Sequence, residues 1–461
     1  MSANNSTHPN YSWKRFWVKN GRTIDLDRDG YLSDPEDEHS GSGSQKIHRS
    51  YEEIKHYPVL FLLGEPGIGK SDTIHKLYKQ TEKQNKREEQ VFYFDLKSYG
   101  ENDLDSEIIG ELKQKLQNYD CYVTLFLDSF DECTLNFNRL AAKLSRKFKQ
   151  LPAELLCVRI ACRTAEFPEL LRTEMSEHWG KDNVGVFELA PLRRQDVELA
   201  ASENSIDSEI FLDELNRQEV VPFAIHPITL NFLLNEYKKN KQLPKGKHSI
   251  YEMGCKKLCE EFSDSRRDAG DIGKYTTSQR VRTAERIAAV MVLSNRNAIW
   301  TGHETECPEN NLKYSDLVGY TEMVDNLGIE ITEPIIKKTC QTALFSGYGE
   351  QRLGWAHRSY AEFLAAEYLH HTLSNDKKIL ELLCYPDSSE PIVELYEVTV
   401  WLAVQRQAIW EHLLENRPKV LLRVARQKSS EDRVILVKKL LKFFERSAKD
   451  YFHTPRACRQ M

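Results

Sequence analysis

The sequence predicts an α/β fold in which a parallel sheet is covered by helices on both faces and is followed by mostly helical domains. Three observations support this class. Between residues 58 and 190, short apolar runs alternate with amphipathic helical patterns, as crossover units require. After Pro191, strand signals become sparse and helical periodicity takes over. A glycine-containing loop also separates the first apolar run from the first helical pattern.

The predicted strands and helices of the α/β part follow one another along the chain. Short apolar runs predict strands at Val59–Leu63, Val91–Leu96, Tyr122–Leu127, Leu156–Cys162 and Val184–Leu189. Helical spacing follows the first run at Ile74, Leu77 and Tyr78, and it follows the second run between Ile108 and Leu116. The alternation therefore predicts parallel pairing, because a crossover helix returns each strand in the same direction.

The second half of the chain shows helical periodicity with one β signal. Helices are predicted around Ile228–Tyr237, Val281–Leu293, Tyr360–Leu369 and Val434–Phe444. The segment Leu344–Trp355, which contains Gly347 and Gly349, resembles a hairpin.

Composition limits the class of protein and its ligands. Hydrophobic residues make up 40% and charged residues 29% of 461 residues, as in ordinary globular proteins. The formal net charge of −6 argues against nucleic acid as the primary ligand. We expect no membrane partner, since no apolar run approaches the roughly 20 residues that span a bilayer. Ten scattered cysteines without a C-x-x-C pair, and no recognisable signal peptide, predict a cytoplasmic location.

The loop after the first strand carries the strongest functional signal. It matches G-x-x-x-x-G-K-[ST] at every fixed position and lies between a strand and a helix, with the residues Gly64, Glu65, Pro66, Gly67, Ile68, Gly69, Lys70 and Ser71. Glycines let the backbone wrap phosphates with its N–H groups directed inward, and the helix presents its positive end. Lys70 would neutralise phosphate charge, and the Ser71 hydroxyl would coordinate Mg²⁺. The loop predicts binding of ATP or ADP with Mg²⁺.

The third strand ends in acidic residues, 58 positions after the lysine of the loop. Asp128 is expected to reach Mg²⁺, through water, from the carboxyl edge of the strand that neighbours the loop strand. Asp131 and Glu132 follow, and either could orient or deprotonate the attacking water. Both could instead only cap the next helix, and the sequence does not distinguish between the two acids.

The spacing of these acids resembles a known family. Four apolar residues, Asp128, a small residue, an apolar residue, Asp131 and Glu132 look like the Walker B motif of NACHT-type NTPases, within the STAND class of signalling ATPases. Most other P-loop ATPases, including typical AAA+ proteins, place Asp and Glu adjacent at the strand end. The offset acids therefore favour NACHT over AAA+.

Three further segments fit this resemblance in the same order. Val158–Thr164 looks like the strand whose final arginine, here Arg163, is a sensor near the γ-phosphate. Ala224–Leu230 resembles the segment whose proline, here Pro227, packs near the adenine. Trp355–Leu369 looks like the winged-helix signature whose histidine, here His357, contacts the β-phosphate of ADP. The alternatives are a surface arginine, a proline that only begins a helix, and a structural histidine.

Composition, periodicity and the resemblance, which covers roughly residues 50–372, together predict a division of the chain into five parts. The expected parts are a flexible N-terminal arm over 1–48, a P-loop NTPase core over 49–190, a small helical domain over 191–245, a winged-helix-like domain over 246–372 and a C-terminal helical segment over 373–461. The arm contains an aromatic patch that could pack on the next domain or on a partner. It is too short for a recognisable effector enzyme, and the C-terminal segment is too short for a long repeat sensor.

The N-terminal arm also contains a match to a calcium-binding loop. Asp25–Glu36 has carboxylates at positions 1, 3 and 5, glycine at position 6 and glutamate at position 12, as in an EF-hand. The helices that should flank such a loop are missing from the pattern, and Pro35 lies where the exiting helix would begin. An acidic turn is the favoured interpretation, and no calcium is expected.

The resemblance implies a nucleotide-controlled switch. ADP would hold the core and the winged helix together at rest, exchange for ATP would permit homo-oligomerisation, and slow ATP hydrolysis would restore the resting state. An unknown protein trigger or a separately encoded effector would act with it, plausibly in innate immunity or anti-phage defence. Two alternatives remain from the residues themselves: a nucleotide-binding scaffold that hydrolyses nothing, and an AAA+-type motor or loader.

Overall fold

The computed structural model describes most of the chain. The described residues are 11–36, 47–84, 89–98, 108–110, 112, 122–132, 137–244, 246–260, 275–348, 351–386 and 390–453. The predicted helix between Ile108 and Leu116 lies largely outside them.

A seven-stranded sheet forms the centre of the first half. Its strands are β1 (Trp17–Lys19), β2 (His48–Arg49), β3 (Val59–Leu63), β4 (Glu89–Asp95), β5 (Tyr122–Asp128), β6 (Leu156–Cys162) and β7 (Val184–Leu189). They lie in the order β2-β1-β7-β3-β6-β5-β4, and the last five are parallel. All five predicted strands are present, and the predicted fold class is confirmed.

The order of the strands corrects one expectation. Asp128 was predicted on the strand next to the loop strand, but β6 lies between β3 and β5. Both neighbours of β6 pair with it in parallel, so the strand that ends before Arg163 lies between the phosphate loop and Asp128. Chain order alone could not reveal this, because a crossover can pass over a strand position that a later strand fills.

Helices cover the sheet on both faces, as the buried apolar strands require. They are α1 (Tyr51–Ile54), α2 (Lys70–Gln84), α3 (Phe137–Phe148) and α4 (Glu169–Trp179). One apolar layer includes Leu140 of α3 and Leu171 of α4, and the other includes Ile54 of α1 and Ile74 of α2. The strand β3 contributes buried side chains to both layers. It is also the middle strand of the sheet, so the loop that follows it lies at the centre of the carboxyl edge.

The N-terminal segment differs from the predicted flexible arm. Trp17 is fully buried in β1, which pairs antiparallel with β7, and β2 pairs with β1 in turn. Tyr11 and Tyr31 are buried in the core of the helical half. The aromatic patch was expected to pack either on the next domain or on a partner. Among residues 11–36, its side chains pack on the rest of the chain. A polar, turn-rich composition concealed a strand of only three residues.

The second half is built around one continuous apolar core that runs from residue 192 to residue 440. Its helices are α5 (Arg194–Glu203), α6 (Ser208–Gln218), α7 (Val221–Ala224), α8 (Pro227–Asn240), α9 (Lys247–Leu258), α10 (Thr277–Leu293), α11 (Glu333–Cys340), α12 (Arg358–Thr372), α13 (Asp376–Leu383), α14 (Tyr396–Gln405), α15 (Gln407–Asn416) and α16 (Ser430–His453). All four helices predicted in this half lie within α8, α10, α12 and α16.

Short strands accompany these helices. A four-stranded sheet has the order β12-β13-β8-β9, with β8 (Ala298–Trp300), β9 (Asn311–Leu312), β12 (Phe345–Gly347) and β13 (Arg352–Trp355), and a separate hairpin joins β10 (Thr321–Val324) to β11 (Leu327–Glu330). The antiparallel pair β12–β13 is the predicted hairpin. The division of this half into small helical, winged-helix and C-terminal parts stays a prediction.

Trp17→Ala should show that β1 belongs to the fold. Truncating a fully buried tryptophan removes apolar contacts and leaves a cavity, so we expect the free energy of unfolding to fall by about 3–5 kcal/mol. Urea unfolding followed by circular dichroism would measure it. Lys19→Ala, at an exposed position of the same strand, is the control and should change stability little. Equal stability of the two variants would contradict the structural role of β1.

Candidate functional site: a phosphate loop between two halves

The loop Gly64–Ser71 joins the buried end of β3 to the start of α2, which begins at Lys70. Gly67 and Gly69 have φ angles of 76° and 86°, in the left-handed region that glycine adopts without strain. The loop is also crowded, since a Cβ added at Gly64 would lie 2.9 Å from Ile68 Cγ2. The sequence therefore folds here into a glycine-dependent cradle at a helix N-terminus, the geometry that binds phosphate.

Lys70 and Ser71 are the first two residues of α2. The Lys70 side chain is about nine-tenths buried, and its Nζ lies 3.9 Å from Asp131 Oδ1. Ser71 is exposed in the first helical turn. A hydroxyl and a carboxylate are oxygen ligands that Mg²⁺ accepts beside nucleotide phosphates and water. No group of three or more His, Cys, Asp or Glu side chains that could hold a metal ion occurs within the described ranges.

Asp128 is buried at the end of β5 with both carboxylate oxygens hydrogen-bonded. The Tyr93 hydroxyl donates to Oδ2 at 3.0 Å, and the Ser129 N–H donates to Oδ1 at 2.8 Å. Burial raises the pKa of Asp128, and the charge of Lys70 opposes that rise. The hydrogen bonds fix the orientation of the carboxylate, so it suits a role of holding a cation through water better than one of moving protons.

Asp131 and Arg163 form a buried ion pair. The Arg163 N–H donates to Asp131 Oδ1 at 2.9 Å, and its Nε lies 3.1 Å from Oδ2. The arginine is 5% exposed, which excludes the alternative of an ordinary surface side chain. Because both oxygens of Asp131 are engaged, Glu132 is the better candidate for the general base. Its side chain lies outside what the structure describes, so that role stays a prediction.

Arg163 also contacts the second half of the molecule. Its Nη1 donates to the carbonyl oxygen of Gln341, just after α11, in a long 3.5 Å hydrogen bond. Nearby, a Cβ added at Gly347 of β12 would lie 2.7 Å from Thr164 Cγ2 and 2.7 Å from Glu188 Oε1. The carboxyl ends of β6 and β7 therefore lie against the end of β12.

The helix α8 packs against the phosphate loop from another side. A Cβ added at Gly67 would lie 2.8 Å from Ile228 Cγ2, and one added at Gly69 would lie 3.5 Å from Pro227 Cγ. Pro227 is also the first residue of α8, so it begins a helix and contacts the loop at once. The preceding residue, His226, is buried, and its Nε2 has no hydrogen-bond partner in the part of the chain that the structure describes.

His357 caps the N-terminus of α12. Its Nδ1 accepts a hydrogen bond from the Ser359 N–H at 3.1 Å. Burial lowers the pKa of His357 to about 4, so the ring is neutral at physiological pH and the proton resides on Nε2. The pKa of His226 is also lowered to about 4 by burial, with the charges of His357 and Arg15 adding to the effect. The cap leaves the Nε2–H of His357 as a donor suited to a phosphate oxygen.

Glu65, within the loop, and Glu188, in β7, are both buried, and nothing in the sequence indicates that they lie close together. Burial raises the pKa of Glu65 to about 7, although the charge of Lys70 opposes that rise, and burial together with the charge of Glu65 raises the pKa of Glu188 to about 8. The Asn20 side chain donates to Glu188 Oε1 at 2.8 Å. A single glutamate in an apolar strand is the one signal that could have marked Glu188, because charged residues are rarely placed there without a partner.

The acidic loop Asp25–Glu36 is held by the protein itself. Asp27 Oδ1 accepts the N–H groups of Asp29 and Tyr31, and the carboxylates of Asp34 and Glu36 lie 3.3 and 3.4 Å from Arg193 Nη1. These bonds describe an acidic turn that attaches to the start of α5.

Comparisons with known proteins give only distant likeness. No protein-family model and no curated protein matches the chain. Among solved structures, the Walker-type ATPase PABY2304 of Pyrococcus abyssi is similar at 13% identity and a TM-score of 0.38, over 68% of this chain and 92% of that one. Two variants of Thermotoga maritima RuvB share 10% and 11% identity over 52% of this chain and 75% and 72% of theirs, with TM-scores of 0.29 and 0.28.

TM-scores this low carry no conclusion about activity. The sheet, the loop and the helical half by themselves give the chain an α/β P-loop fold followed by a mostly helical region. The resemblance to NACHT proteins stays a prediction. Across the described residues, no helix combines the length and apolar character needed to cross a membrane.

Lys70→Ala should abolish or greatly weaken binding of ADP and ATP. No second basic side chain lies in the first turn of α2, so the charge of Lys70 has no substitute there. Isothermal titration calorimetry with Mg²⁺ present would measure the affinities. Lys79→Ala, on an exposed turn of the same helix, is the matched control and should bind like the parent. Unchanged affinity in Lys70→Ala would refute the site.

Glu188→Gln should stabilise the protein at alkaline pH. A carboxyl whose pKa is raised from about 4.5 to about 8 binds its proton more tightly when folded, so stability falls as pH rises between those values. Each tenfold change in proton affinity corresponds to about 1.4 kcal/mol. Thermal melts from pH 5 to pH 9 should show a flatter profile for Glu188→Gln. Glu154→Gln, at an exposed position, should keep the parent profile, and parallel profiles for all three proteins would contradict the pKa assignment.

Proposed function

We propose that the protein is an ATP/ADP-controlled switch of the NACHT/STAND type. ADP holds the core and the helical half together at rest, and exchange for ATP releases them and permits homo-oligomerisation. Slow hydrolysis of ATP restores the resting state. The observation that carries this proposal is the position of the phosphate loop, which is packed between the core and the first turn of α8.

The contacts of the loop support coupling between nucleotide and domain arrangement. Ile228 touches Gly67 and Pro227 touches Gly69, so the outer wall of the phosphate cradle belongs to the helical half. Any shift of α8 changes the surroundings of the loop. A nucleotide that completes one arrangement better than another must shift the populations of the two.

A second set of contacts, between the carboxyl ends of β6 and β7 and the residues around β12, supports the same coupling. Arg163 reaches the carbonyl oxygen of Gln341, while Glu188 and Thr164 touch Gly347. Arg163 and Thr164 follow β6, and Glu188 lies near the end of β7; these two strands flank β3. If Arg163 is a sensor arginine, its hydrogen bond to Gln341 would couple the presence of the γ-phosphate to the position of the helical half.

The bound Mg²⁺ would supply charge neutralisation for the phosphates when present. The chain's own residues then have separate roles: Lys70 binds phosphate, Ser71 and Asp128 hold the cation, and Asp128 is oriented by Tyr93. Glu132 is our candidate for the base that orients or deprotonates water, with Asp131 as the positioning group for Arg163. Measured turnover would separate this switch from a scaffold that hydrolyses nothing.

The partners of the switch follow from the resemblance. Homo-oligomerisation on activation, an unknown protein trigger and a separately encoded effector are the expected partners, and defence against phage or another innate immune role is the expected setting. An AAA+-type motor predicts constitutive hexamers instead, so the oligomeric state before and after exchange distinguishes the two classes.

His357→Leu should release the resting state. Losing an Nε2–H donor to a charged phosphate costs roughly 1.5–3 kcal/mol, which shifts a two-state equilibrium by about ten- to a hundred-fold. The variant should hold ADP less tightly and oligomerise without its trigger. Calorimetry and size-exclusion chromatography on one preparation would measure both effects.

His357→Asn is the control that separates nucleotide contact from helix capping. Asparagine is a good N-cap residue, so this variant keeps the cap on α12 and loses only the imidazole. We expect it to weaken ADP binding as His357→Leu does, with a smaller loss of thermal stability. If His357→Asn binds ADP like the parent, His357 is a structural cap and its place at the β-phosphate is excluded.

A further inference from the structure

Arg15, in the segment that precedes β1, contacts the phosphate loop directly. Its Nη1 donates to the carbonyl oxygen of Ile68 at 2.9 Å, and its Nη2 donates to the carbonyl oxygen of Ala190 at 2.7 Å. A Cβ added at Gly69 would lie 3.0 Å from the same Nη1. The guanidinium therefore fits against the outer surface of the loop at a glycine that leaves it room.

The hydrogen bond to Ile68 fixes a particular peptide group. In a planar trans peptide the carbonyl oxygen and the next N–H point in opposite directions. Because the Ile68 carbonyl oxygen faces Arg15, the N–H of Gly69 points away from Arg15 and is free to be directed at a bound phosphate. Gly69 has a φ of 86°, and glycine has wide backbone freedom. The hydrogen bond from Arg15 therefore restricts the rotation of the Ile68–Gly69 peptide group.

The charge of Arg15 acts in the same direction. Burial lowers its pKa to about 10, and nearby Asp196 and Asp72 oppose that decrease, so the side chain is a cation at physiological pH. Its Nε has no hydrogen-bond partner within the described part of the chain. A half-buried cation beside the loop strengthens the potential that attracts polyphosphate.

The segment that carries Arg15 is itself anchored on both halves. The Lys76 side chain of α2 donates to the Tyr11 carbonyl oxygen at 2.6 Å, and the Tyr11 hydroxyl donates to Asn231 of α8 at 3.2 Å. The Trp13 indole donates to the Asp196 carbonyl oxygen in α5 at 2.8 Å. The position of Arg15 thus depends on α2, α5 and α8 together.

We propose that Arg15 is a positioning residue for nucleotide binding, which holds the Ile68–Gly69 peptide with its N–H directed at the phosphates. The N-terminal segment is then a working part of the phosphate site, and the loop binds nucleotide well only while that segment is docked. The proposal rests on the nucleotide-binding function proposed above.

The test compares MgADP affinity and nucleotide-free melting temperature across variants of the full chain. Arg15→Met keeps the stem and removes the guanidinium, and we expect affinity to fall about ten- to a hundred-fold, the usual effect of losing a charged hydrogen bond. Arg15→Lys keeps the charge but cannot bind both carbonyl oxygens, so it should lose less. Lys14→Met, at the exposed neighbour, is the matched control. Added methylguanidinium should partly restore binding to Arg15→Met and leave Lys14→Met unchanged.

Each result has a definite meaning. A parent protein that binds no ADP refutes the proposed function, and this proposal with it. A parent that binds, together with an Arg15→Met variant of equal affinity, overturns the role of Arg15 alone. If Arg15→Met does not fold, Arg15→Lys decides: weaker binding at an unchanged melting temperature supports positioning, and equal binding overturns it. A loss of affinity in Arg15→Met that methylguanidinium does not restore also counts against positioning.

Discussion

Asp131 is a carboxylate buried at the carboxyl edge of the sheet, between cations supplied by separate segments. It lies 3.1 Å from Arg163 Nε, after β6, and 3.9 Å from Lys70 Nζ, at the start of α2. A buried charge is tolerated only when it is paired, and breaking such a pair costs about 3–5 kcal/mol. The positions of Lys70 and Arg163, and through Arg163 the contact with Gln341, therefore depend on a single acid. A phosphate bound at Lys70 would compete with Asp131 for the positive charge of Lys70. Since Asp131 also pairs with Arg163, this competition would couple the ligand to Arg163.

Much of the core could be predicted from the sequence because its signals are local. The strand Val59–Leu63, the loop to Ser71 and the strand Leu156–Cys162 each follow from a run of apolar residues or from a fixed spacing of glycine and lysine. The hairpin at Leu344–Trp355 was visible for the same reason. Local patterns determine which residues form an element, whatever its neighbours.

The order of the strands and the tertiary partners of each acid could not be predicted, because they depend on residues far apart in the chain. Nothing near Asp128 indicates that β6 lies between its strand and β3. The pairing of Asp131 with Arg163 joins residues 32 positions apart. Trp17–Lys19 is too short for an alternating pattern, so β1 looked like part of a tail. The buried pair Glu65 and Glu188 forms only because β3 and β7 are adjacent.

The close approach at Gly347 has a consequence for how the two halves can vary. No room exists there for even one methyl group, since an added Cβ would meet both Glu188 and Thr164 at 2.7 Å. Any larger residue at this position would displace these side chains or push the β12–β13 hairpin away from the core. We therefore expect substitution of Gly347 to weaken the contact between β12 and the core. If the protein is the switch proposed above, substitution of Gly347 would favour separation of the two halves without altering any residue of the phosphate loop.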